Sequence, residues 1–219
     1  MYNTTKILNG EVELRGDKSL SHRFVMILSI IQGKSIVKNI SACKDVLSTI
    51  NCLKECNINI DCIDDIITIN GGTMNNPDSI LDCGNSGSTL RMLMGLLFGQ
   101  NISASFVGDA SLIKRPVNRV LAPLEKMGAM FVSNNKQLPI QMHAKEINPI
   151  HYKEKTNSAQ VKTALIFAGL GSNKYSHISY NKSTRDHTEK IMENIGFDID
   201  INTNISIRKS HIKKGINIT

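Results

Sequence analysis

The sequence predicts an α/β (α+β) fold in which three repeated βαβαββ units are arranged around a pseudo-threefold axis. The first observation behind this prediction is an order of strand-like and helix-like stretches that occurs three times along the chain. The second is spacing. A small-residue loop followed by a cation marks each round, and these cations, Arg23, Arg91 and Lys162, are 68 and 71 residues apart. A recurring period of this kind indicates one repeated supersecondary unit.

The first unit is predicted over about residues 7–72. Val46, Ile50 and Leu53 recur at helical spacing, whereas the residues on either side of Asp64-Asp65 alternate as in two short strands joined by a turn. The predicted elements are a strand over 7–15, a helix over 19–31, a strand over 35–40, a helix over 44–56 and two strands within 57–69.

The second and third units, over about 78–143 and 150–210, repeat this order. Each has an apolar helix that begins at a cation. The second unit has strands over 80–83, 102–107, 128–132 and 138–142 and helices over 91–98 and 117–126. The third has helices over 162–170 and 183–194 and strands over 175–180, 196–199 and 205–208. Residues 1–219 are therefore expected to form a single domain.

The composition favours a protein that binds anionic small molecules. The 219 residues are 41% hydrophobic, enough for a substantial core, and their formal net charge of +7 attracts anions. No stretch interleaves aromatic with basic residues as binders of single-stranded nucleic acid do, so phosphorylated metabolites are favoured over nucleic acid. No apolar run approaches the roughly 18 residues of a membrane span, and the N-terminus lacks the apolar segment of a signal peptide.

The five cysteines indicate neither a disulfide framework nor a zinc site. Their number is odd, and no two form a C-x-x-C pair. Reduced, mostly buried thiols in a cytoplasmic protein are the expectation that this usage supports. No cluster of side chains has the spacing of metal ligands, so we expect no metal site.

The stretch Gly16–Arg23 has the composition of an anion-binding helix start. Asp17 and Ser19 can cap a helix, while Lys18 and Arg23 place two cations around its first turns. Free backbone N–H groups, the positive end of the helix dipole and two cations together suit phosphate or carboxylate. An ordinary capped surface helix is the alternative for this stretch alone. The occurrence of the same arrangement twice more favours the anion site.

Five motifs follow one another along the chain. They are GDKSLSHR at 16–23, GNSGSTLR at 84–91, GDASLIKRP at 108–116, SAQVKTALIFAGL at 158–170 and TRDHTEKI at 184–191. In their order and spacing they closely resemble the N-terminal half of the EPSP synthase family, from about residue 7 to about residue 210. The resemblance implies one domain of the enolpyruvyl transferase fold. It also implies transfer of the enolpyruvyl group of phosphoenolpyruvate to shikimate 3-phosphate in aromatic amino acid biosynthesis, without a cofactor.

The resemblance further implies roles for residues within these motifs. Lys18 is implied to be catalytic and to lie between the two substrates. Shikimate 3-phosphate is implied to bind Lys18, Ser19, Arg23, Ser158, Ala159, Gln160 and Arg185. Phosphoenolpyruvate is implied to bind Lys18, Asn85, Gly87, Arg115 and Gln160. Arg23 suits a planar carboxylate held by two parallel hydrogen bonds. Arg91 and Lys162 are expected to support the loops, and His22 and His187 to pack or cap beside them.

Other expectations concern the rest of the enzyme. Members of the family carry a second domain, which holds the acidic residues for proton transfer and further cations for phosphoenolpyruvate. We therefore expect this polypeptide alone to be catalytically inactive, monomeric and a weak binder of shikimate 3-phosphate. Gly87 implies that glyphosate inhibits the full enzyme, because a side chain at that position would crowd the bound ligand.

Three alternatives remain at this point. The sister enzyme that transfers enolpyruvyl to UDP-N-acetylglucosamine shares the fold, but its opening loop carries Lys-Asn and it lacks SAQVK. An RNA-binding or RNA-processing protein built on similar βαβαββ repeats, as in RNA terminal-phosphate cyclases, is compatible with the charge of +7. The substrate loops argue against it. A natural stand-alone binding domain is the third.

Overall fold

The structure, a computed structural model, describes residues 16–180, 184–210, 212 and 214–218. Its helices are α1 (Lys18–Ser29), α2 (Lys44–Glu55), α3 (Gly87–Gly99), α4 (Ala110–Ile113), α5 (Asn118–Lys126), α6 (Ala159–Gly169) and α7 (His187–Ile195). Its strands are β1 (Gly33–Val37), β2 (Asn59–Ile63), β3 (Ile66–Gly71), β4 (Leu81–Asp82), β5 (Ala104–Val107), β6 (Met130–Ser133), β7 (Ile140–His143), β8 (His151–Lys153), β9 (Ser176–Ser179), β10 (Ile199–Asp200), β11 (Ile205–Ile207) and β12 (Asn217–Ile218). The predicted strand over 7–15 lies outside the described residues.

Within the part of the chain that the structure describes, three four-stranded sheets share one layout, which confirms the predicted fold class. Their strand orders are β12-β1-β3-β2, β4-β5-β7-β6 and β8-β9-β11-β10. In each sheet the first two strands are parallel, and the remaining neighbours are antiparallel. Parallel neighbours need a long crossover connection. This is why α3 lies between β4 and β5 in the chain, and α6 between β8 and β9.

The first sheet takes its outer strand from the far end of the chain. Asn217 and Ile218 pair in parallel with Ile36 and Val37 of β1. This strand occupies the position that β4 and β8 hold in the other two sheets. The segment predicted as the first unit, 7–72, therefore does not by itself account for the first sheet, because residues beyond 210 contribute a strand to it.

Helices α1, α3 and α6 carry much of the apolar core. Helices α3 and α6 are buried along almost their whole length, as expected of helices that are apolar on every side. They approach closely because α3 has glycine at the crossing. Gly95 faces the backbone of Ala164, and Gly99 faces that of Phe167. No helix in the part of the chain that the structure describes is long and apolar enough to span a membrane.

Most predicted elements occur where the sequence places them. The apolar face of α2 is buried at Val46, Ile50 and Leu53, and the turn between β2 and β3 has Asp64 at a φ of 53°, which aspartate tolerates better than most residues. The short elements α4 and β8 were not predicted. They have four and three residues, too few for a periodic pattern.

Two helices begin earlier than predicted, because serines cap them. Helix α3 starts at Gly87 after Ser86, whose Oγ accepts from the backbone N–H of Thr89 at 3.1 Å. Helix α6 starts at Ala159 after Ser158, whose Oγ accepts from Val161 N–H at 3.4 Å. The cations Arg91 and Lys162, predicted at the first helical residues, therefore lie in the second turns, where they are buried.

Candidate functional site

The first two turns of α1, α3 and α6 are joined by hydrogen bonds between side chains. Arg23 Nη2 on α1 donates to Thr163 Oγ1 on α6 at 3.3 Å. Arg91 Nη1 on α3 donates to Gln160 Oε1 on α6 at 2.8 Å. Each helix start carries free N–H groups and the positive end of a dipole. We call the joined first two turns of these helices, which begin at Lys18, Gly87 and Ala159, the helix-start cluster.

Arg23 is buried, 3% exposed, and its guanidinium is held on several sides. Nε donates to Thr188 Oγ1 at 2.8 Å, and Nη1 donates to the backbone oxygen and Oγ of Ser19 at 2.9 and 2.7 Å. Together with the bond to Thr163, these contacts use four of the five N–H donors of the guanidinium, and one N–H on Nη2 has no partner among the described residues. The bidentate grip on a carboxylate expected from the sequence would therefore require one of these contacts to give way. Burial lowers the pKa of Arg23 to about 10, and the Glu189 carboxylate opposes that shift.

Lys18, the predicted catalytic residue, is the first residue of α1 and is largely exposed. Its Nζ lies 2.9 Å from Asp45 Oδ2 on α2. The hydrogen bond from Lys18 to that carboxylate raises the pKa of the ammonium group, and the charge of Asp45 adds to the effect. The positive charge of Arg115 acts on this pKa in the opposite direction. Lys18 is therefore protonated at neutral pH.

Around the start of α3, Asn85, Gly87 and Arg115 lie together. Arg115 Nη1 donates to the backbone oxygen of Asn85 at 3.2 Å, and Nη2 donates to its side-chain oxygen. The amide nitrogen of Asn85 donates to Asp109 Oδ2 at 2.7 Å. A Cβ at Gly87 would lie 2.5 Å from Nη1 of Arg91 and 3.6 Å from Nη1 of Arg115. Glycine at this position therefore lets two guanidinium groups converge.

Arg91 orients Gln160. It is 4% exposed, and its Nη2 donates to the backbone oxygen of Pro116 at 3.1 Å. Because a guanidinium only donates, Gln160 must turn its Oε1 toward Arg91. Gln160 Nε2 then donates to Ser88 Oγ at 2.9 Å and keeps a second N–H for a ligand. Burial lowers the pKa of Arg91 to about 10, assisted by the charges of Arg119 and Arg115.

The loop before α6 is held by a carboxylate. Glu154 is buried, and its carboxylate accepts from the backbone N–H groups of Thr156 at 2.8 Å and of Ser158 at 3.2 Å. This arrangement presents Ser158 and Ala159 at the start of α6. Arg185 is exposed and lies two residues before the start of α7. The structure thus brings most of the predicted site residues to the three helix starts, with Arg185 on the adjoining loop.

Lys162 has a different environment from Arg23 and Arg91. It is fully buried, and its Nζ lies 2.5 Å from Glu189 Oε1 on α7. The two groups are close enough for an ion pair, but neither makes an aligned hydrogen bond there. Lys162 therefore points into the interior between α6 and α7 and does not face the start of its helix.

Residues that sequence reasoning did not single out complete the site. They are Asp45, Ser88, Glu154, Thr163, Thr188 and Glu189. Ser88, Thr163, Thr188 and Glu189 belong to three of the five motifs, and their membership of these motifs was the available signal. Asp45 contacts Lys18 from 27 positions away, and Glu154 contacts the backbone two and four residues ahead; no motif marks either residue. Among the described residues, no group of three or more His, Cys, Asp or Glu side chains could hold a metal.

His22 lies beneath the site in a buried hydroxyl network, which agrees with the expectation that it packs beside the loops. Its Nδ1 is 2.7 Å from Thr49 Oγ1, which is 2.8 Å from Thr89 Oγ1. Burial lowers the pKa of His22 to about 4. The ring is therefore neutral in the folded protein at neutral pH and joins α1 to α2 and α3 as an uncharged group.

We predict that the free energy of unfolding decreases as the pH is lowered from 6.5, because His22 becomes protonated more readily in the unfolded chain than in the folded protein. The folded-state pKa is depressed to about 4 from about 6.5 in the unfolded chain. The contribution is therefore complete above pH 6.5 and is lost as the pH falls, amounting to about 2 kcal/mol by pH 5. Urea unfolding of wild type and of His22→Asn at pH 5 and at a pH above 6.5 measures this loss of stability. On acidification to pH 5, His22→Asn should lose about 2 kcal/mol less of its free energy of unfolding than wild type loses. His143→Asn, at an exposed site, should show the same loss as wild type. An identical pH dependence in all three proteins would contradict the prediction.

Comparison with known protein families gives a match over almost the whole chain. The family model described as EPSP synthase (3-phosphoshikimate 1-carboxyvinyltransferase) matches residues 2–218. A 3-phosphoshikimate 1-carboxyvinyltransferase of Desulforamulus reducens is 37% identical over 224 residues, covering 99% of this chain and 52% of that protein. One of Caldicellulosiruptor saccharolyticus is 42% identical over 197 residues, covering 88% of this chain and 46% of that protein.

Solved structures give the same result. The 2.37 Å structure of EPSP synthase from Acinetobacter baumannii superimposes with a TM-score of 0.89 at 32% identity, covering 95% of this chain and 48% of the other. These matches confirm the resemblance carried by the five motifs. The chain spans about half the length of the curated relatives that it matches.

Proposed function

The chain belongs to the EPSP synthase family, and on that premise we propose that its helix-start cluster binds shikimate 3-phosphate and forms one wall of the site for enolpyruvyl transfer. The observation that carries the proposal is a pair of buried arginines, Arg23 and Arg91, without a carboxylate partner in an ion pair within the described part of the chain. Burying unpaired charge is costly. A bound anion would offset that cost.

The start of α6 is the proposed phosphate site. The N–H groups of Ala159 and Gln160 are in the first turn, where a helix leaves its donors free and its dipole is positive. Ser158 adds a hydroxyl, and Arg185 adds a cation from the adjoining loop. Arg23 and Ser19 are proposed to bind the carboxylate, through the remaining N–H on Nη2 and the Ser19 hydroxyl. The ligand thus receives donors from two helix starts.

The start of α3 is the proposed phosphoenolpyruvate side. Asn85, Gly87 and Arg115 border it, and Gln160 offers its second amide N–H from α6. Lys18 is proposed to lie between the substrates. Because its pKa is raised by Asp45, it is a protonated cation and not a proton acceptor. Its role is then to stabilise negative charge as phosphate departs. Glyphosate as an inhibitor of the full enzyme, a monomeric state and a cytoplasmic location remain predictions from the sequence.

Gly87→Ala is predicted to weaken phosphoenolpyruvate binding by about tenfold with little loss of stability. The new Cβ would meet the movable end of Arg91 and displace it from Gln160. Because no backbone atom is crowded, the free energy of unfolding should fall by less than about 1 kcal/mol. Calorimetric titration of phosphoenolpyruvate into the chain saturated with shikimate 3-phosphate measures the affinity. Arg208→Met, at an exposed arginine that pairs with Asp198, is the control. Equal affinities for Gly87→Ala and wild type would contradict the prediction.

Titration calorimetry with shikimate 3-phosphate tests the proposed function. We expect saturable binding at one site that weakens as salt is raised, and a loss of at least about tenfold in Arg23→Met. Arg208→Met removes an exposed arginine that pairs with Asp198, and it should bind like wild type. Absence of binding, combined with salt-dependent binding of RNA, would favour the RNA-binding alternative. Phosphate release by these 219 residues alone would contradict the expectation that proton-transfer groups lie elsewhere.

A further inference from the structure

A buried ion pair without a role in the proposed reaction lies beside the helix-start cluster. Lys162 and Glu189 are 0% and 1% exposed, and Nζ lies 2.5 Å from Oε1. The same Nζ lies 4.0 Å from the centre of the Tyr180 ring, within range of a cation–π contact. A buried ion pair adds little net stability, because both charges lose their water. Its presence here therefore calls for an explanation other than stability.

The ion pair is flanked on each helix by a threonine that contacts Arg23, and this contact suggests a role for the pair. Thr163 follows Lys162 on α6, and Thr188 precedes Glu189 on α7. Their Oγ1 atoms are 2.7 Å apart. Both hydroxyls also contact Arg23, whose Nε lies 2.8 Å from Thr188 Oγ1 and whose Nη2 lies 3.3 Å from Thr163 Oγ1. We call Lys162, Thr163, Thr188 and Glu189 the α6–α7 clamp.

The direction of these hydrogen bonds follows from the donor inventory. A guanidinium has N–H donors and no acceptor, so both threonine hydroxyls accept from Arg23. One edge of the guanidinium, with Nε and Nη2, therefore faces the clamp, while Nη1 faces Ser19 at the start of α1. Three contact points in different directions fix the plane of the group. Arg23 is otherwise a side chain with several rotatable bonds and much freedom to lose on binding.

We propose that Thr188 is a positioning residue for shikimate 3-phosphate, which together with Thr163 fixes the plane of the Arg23 guanidinium before the ligand binds. The Lys162–Glu189 pair sets the approach of α7 to α6 at which the two hydroxyls meet. Because Arg185 lies two residues before α7, the same approach sets the spacing between Arg185 and Arg23. The inference rests on the proposed function, since it concerns the same ligand.

The first test needs no ligand. In a ¹⁵N NMR spectrum the Arg23 Nε–H cross-peak, identified by its loss in Arg23→Lys, should be protected from exchange with water. Thr188→Val keeps the shape of the side chain and removes the acceptor, so the cross-peak should shift and exchange faster, whereas Thr188→Ser should restore it. If Thr188→Val does not fold, Thr163→Val, which removes the other acceptor, serves in its place. A cross-peak unchanged in the folded valine variant would overturn the inference.

The second test measures affinity for shikimate 3-phosphate by calorimetry. Thr188→Val should bind about tenfold more weakly, Thr188→Ser within about threefold of wild type, and Thr49→Val like wild type. Thr49 is an equally buried threonine without a hydrogen bond to Arg23. In an Arg23→Lys background, Thr188→Val should add no further loss. If Thr188→Val lowered the affinity by the same factor in the Arg23→Lys background as in wild type, its effect would not act through Arg23, and the inference would be overturned. If wild type itself does not bind, the proposed function fails, and the NMR result alone decides whether the clamp positions Arg23.

Discussion

Lys162→Met is expected to lower the free energy of unfolding by about 3 to 5 kcal/mol. Glu189 is 1% exposed, and Lys162 is its ion-pair partner among the described residues. Removing the ammonium group leaves a carboxylate in the interior without a counter-charge. The protein must then either carry this buried charge or bind a proton, and both lower its stability at neutral pH.

The double variant Lys162→Met/Glu189→Leu separates this mechanism from lost packing. Replacing both partners by apolar side chains removes the unpaired charge, so most of the stability should return. Guanidinium unfolding at pH 7 followed by circular dichroism measures both proteins. Lys190→Met, which removes an exposed lysine from a surface pair with Asp186, should leave stability close to that of wild type, because a solvent-exposed pair contributes little. A double variant as unstable as the single one would show that the charge is not the cause.

Gly95→Ala should lower the free energy of unfolding by about 3 kcal/mol, at the upper end of what overpacking costs. A Cβ at Gly95 would lie 2.5 Å from Ala164 Cα and still closer to the carbonyl oxygen of that residue. Backbone atoms in the middle of a buried helix cannot move aside, so α3 and α6 must separate. The better helix propensity of alanine, worth about 1 kcal/mol, is too small to compensate.

Thermal and urea unfolding of Gly95→Ala measure this loss. Gly87→Ala, on the same helix, is the matched control, because its Cβ meets a movable side chain and no backbone. Gly95→Ala should therefore lose stability, whereas Gly87→Ala should lose affinity for phosphoenolpyruvate and keep most of its stability. Equal stability of both variants would mean that the close crossing of α3 and α6 is not required by the fold.

The local parts of this structure could be predicted from the sequence. The spacing of Arg23, Arg91 and Lys162 indicated the repeat, because each unit has a similar order of helices and strands along the chain. The helix starts followed from caps and cations that lie close together in the chain. The predicted starts were wrong by three to four residues at α3 and α6, because Ser86 and Ser158 cap earlier than the first cation.

Contacts between distant segments could not be predicted. The hydrogen bond from Arg23 to Thr188 joins residues 165 positions apart, and β12 reaches the first sheet from the other end of the chain. No sequence pattern near Arg23 or β12 indicates which distant segment it contacts, because these contacts depend on how the three units pack together. For the same reason the sequence could place Lys162 near a loop but could not identify Glu189 as its partner.

A crystal structure of this chain with shikimate 3-phosphate tests the central proposal most directly. We expect the phosphate group within hydrogen-bonding distance of the first N–H groups of α6 and of Arg185. The carboxylate should contact Arg23 and Ser19. A ligand bound away from the starts of α1 and α6, or crystals that stay empty at saturating ligand with these helix starts open to solvent, would contradict the account.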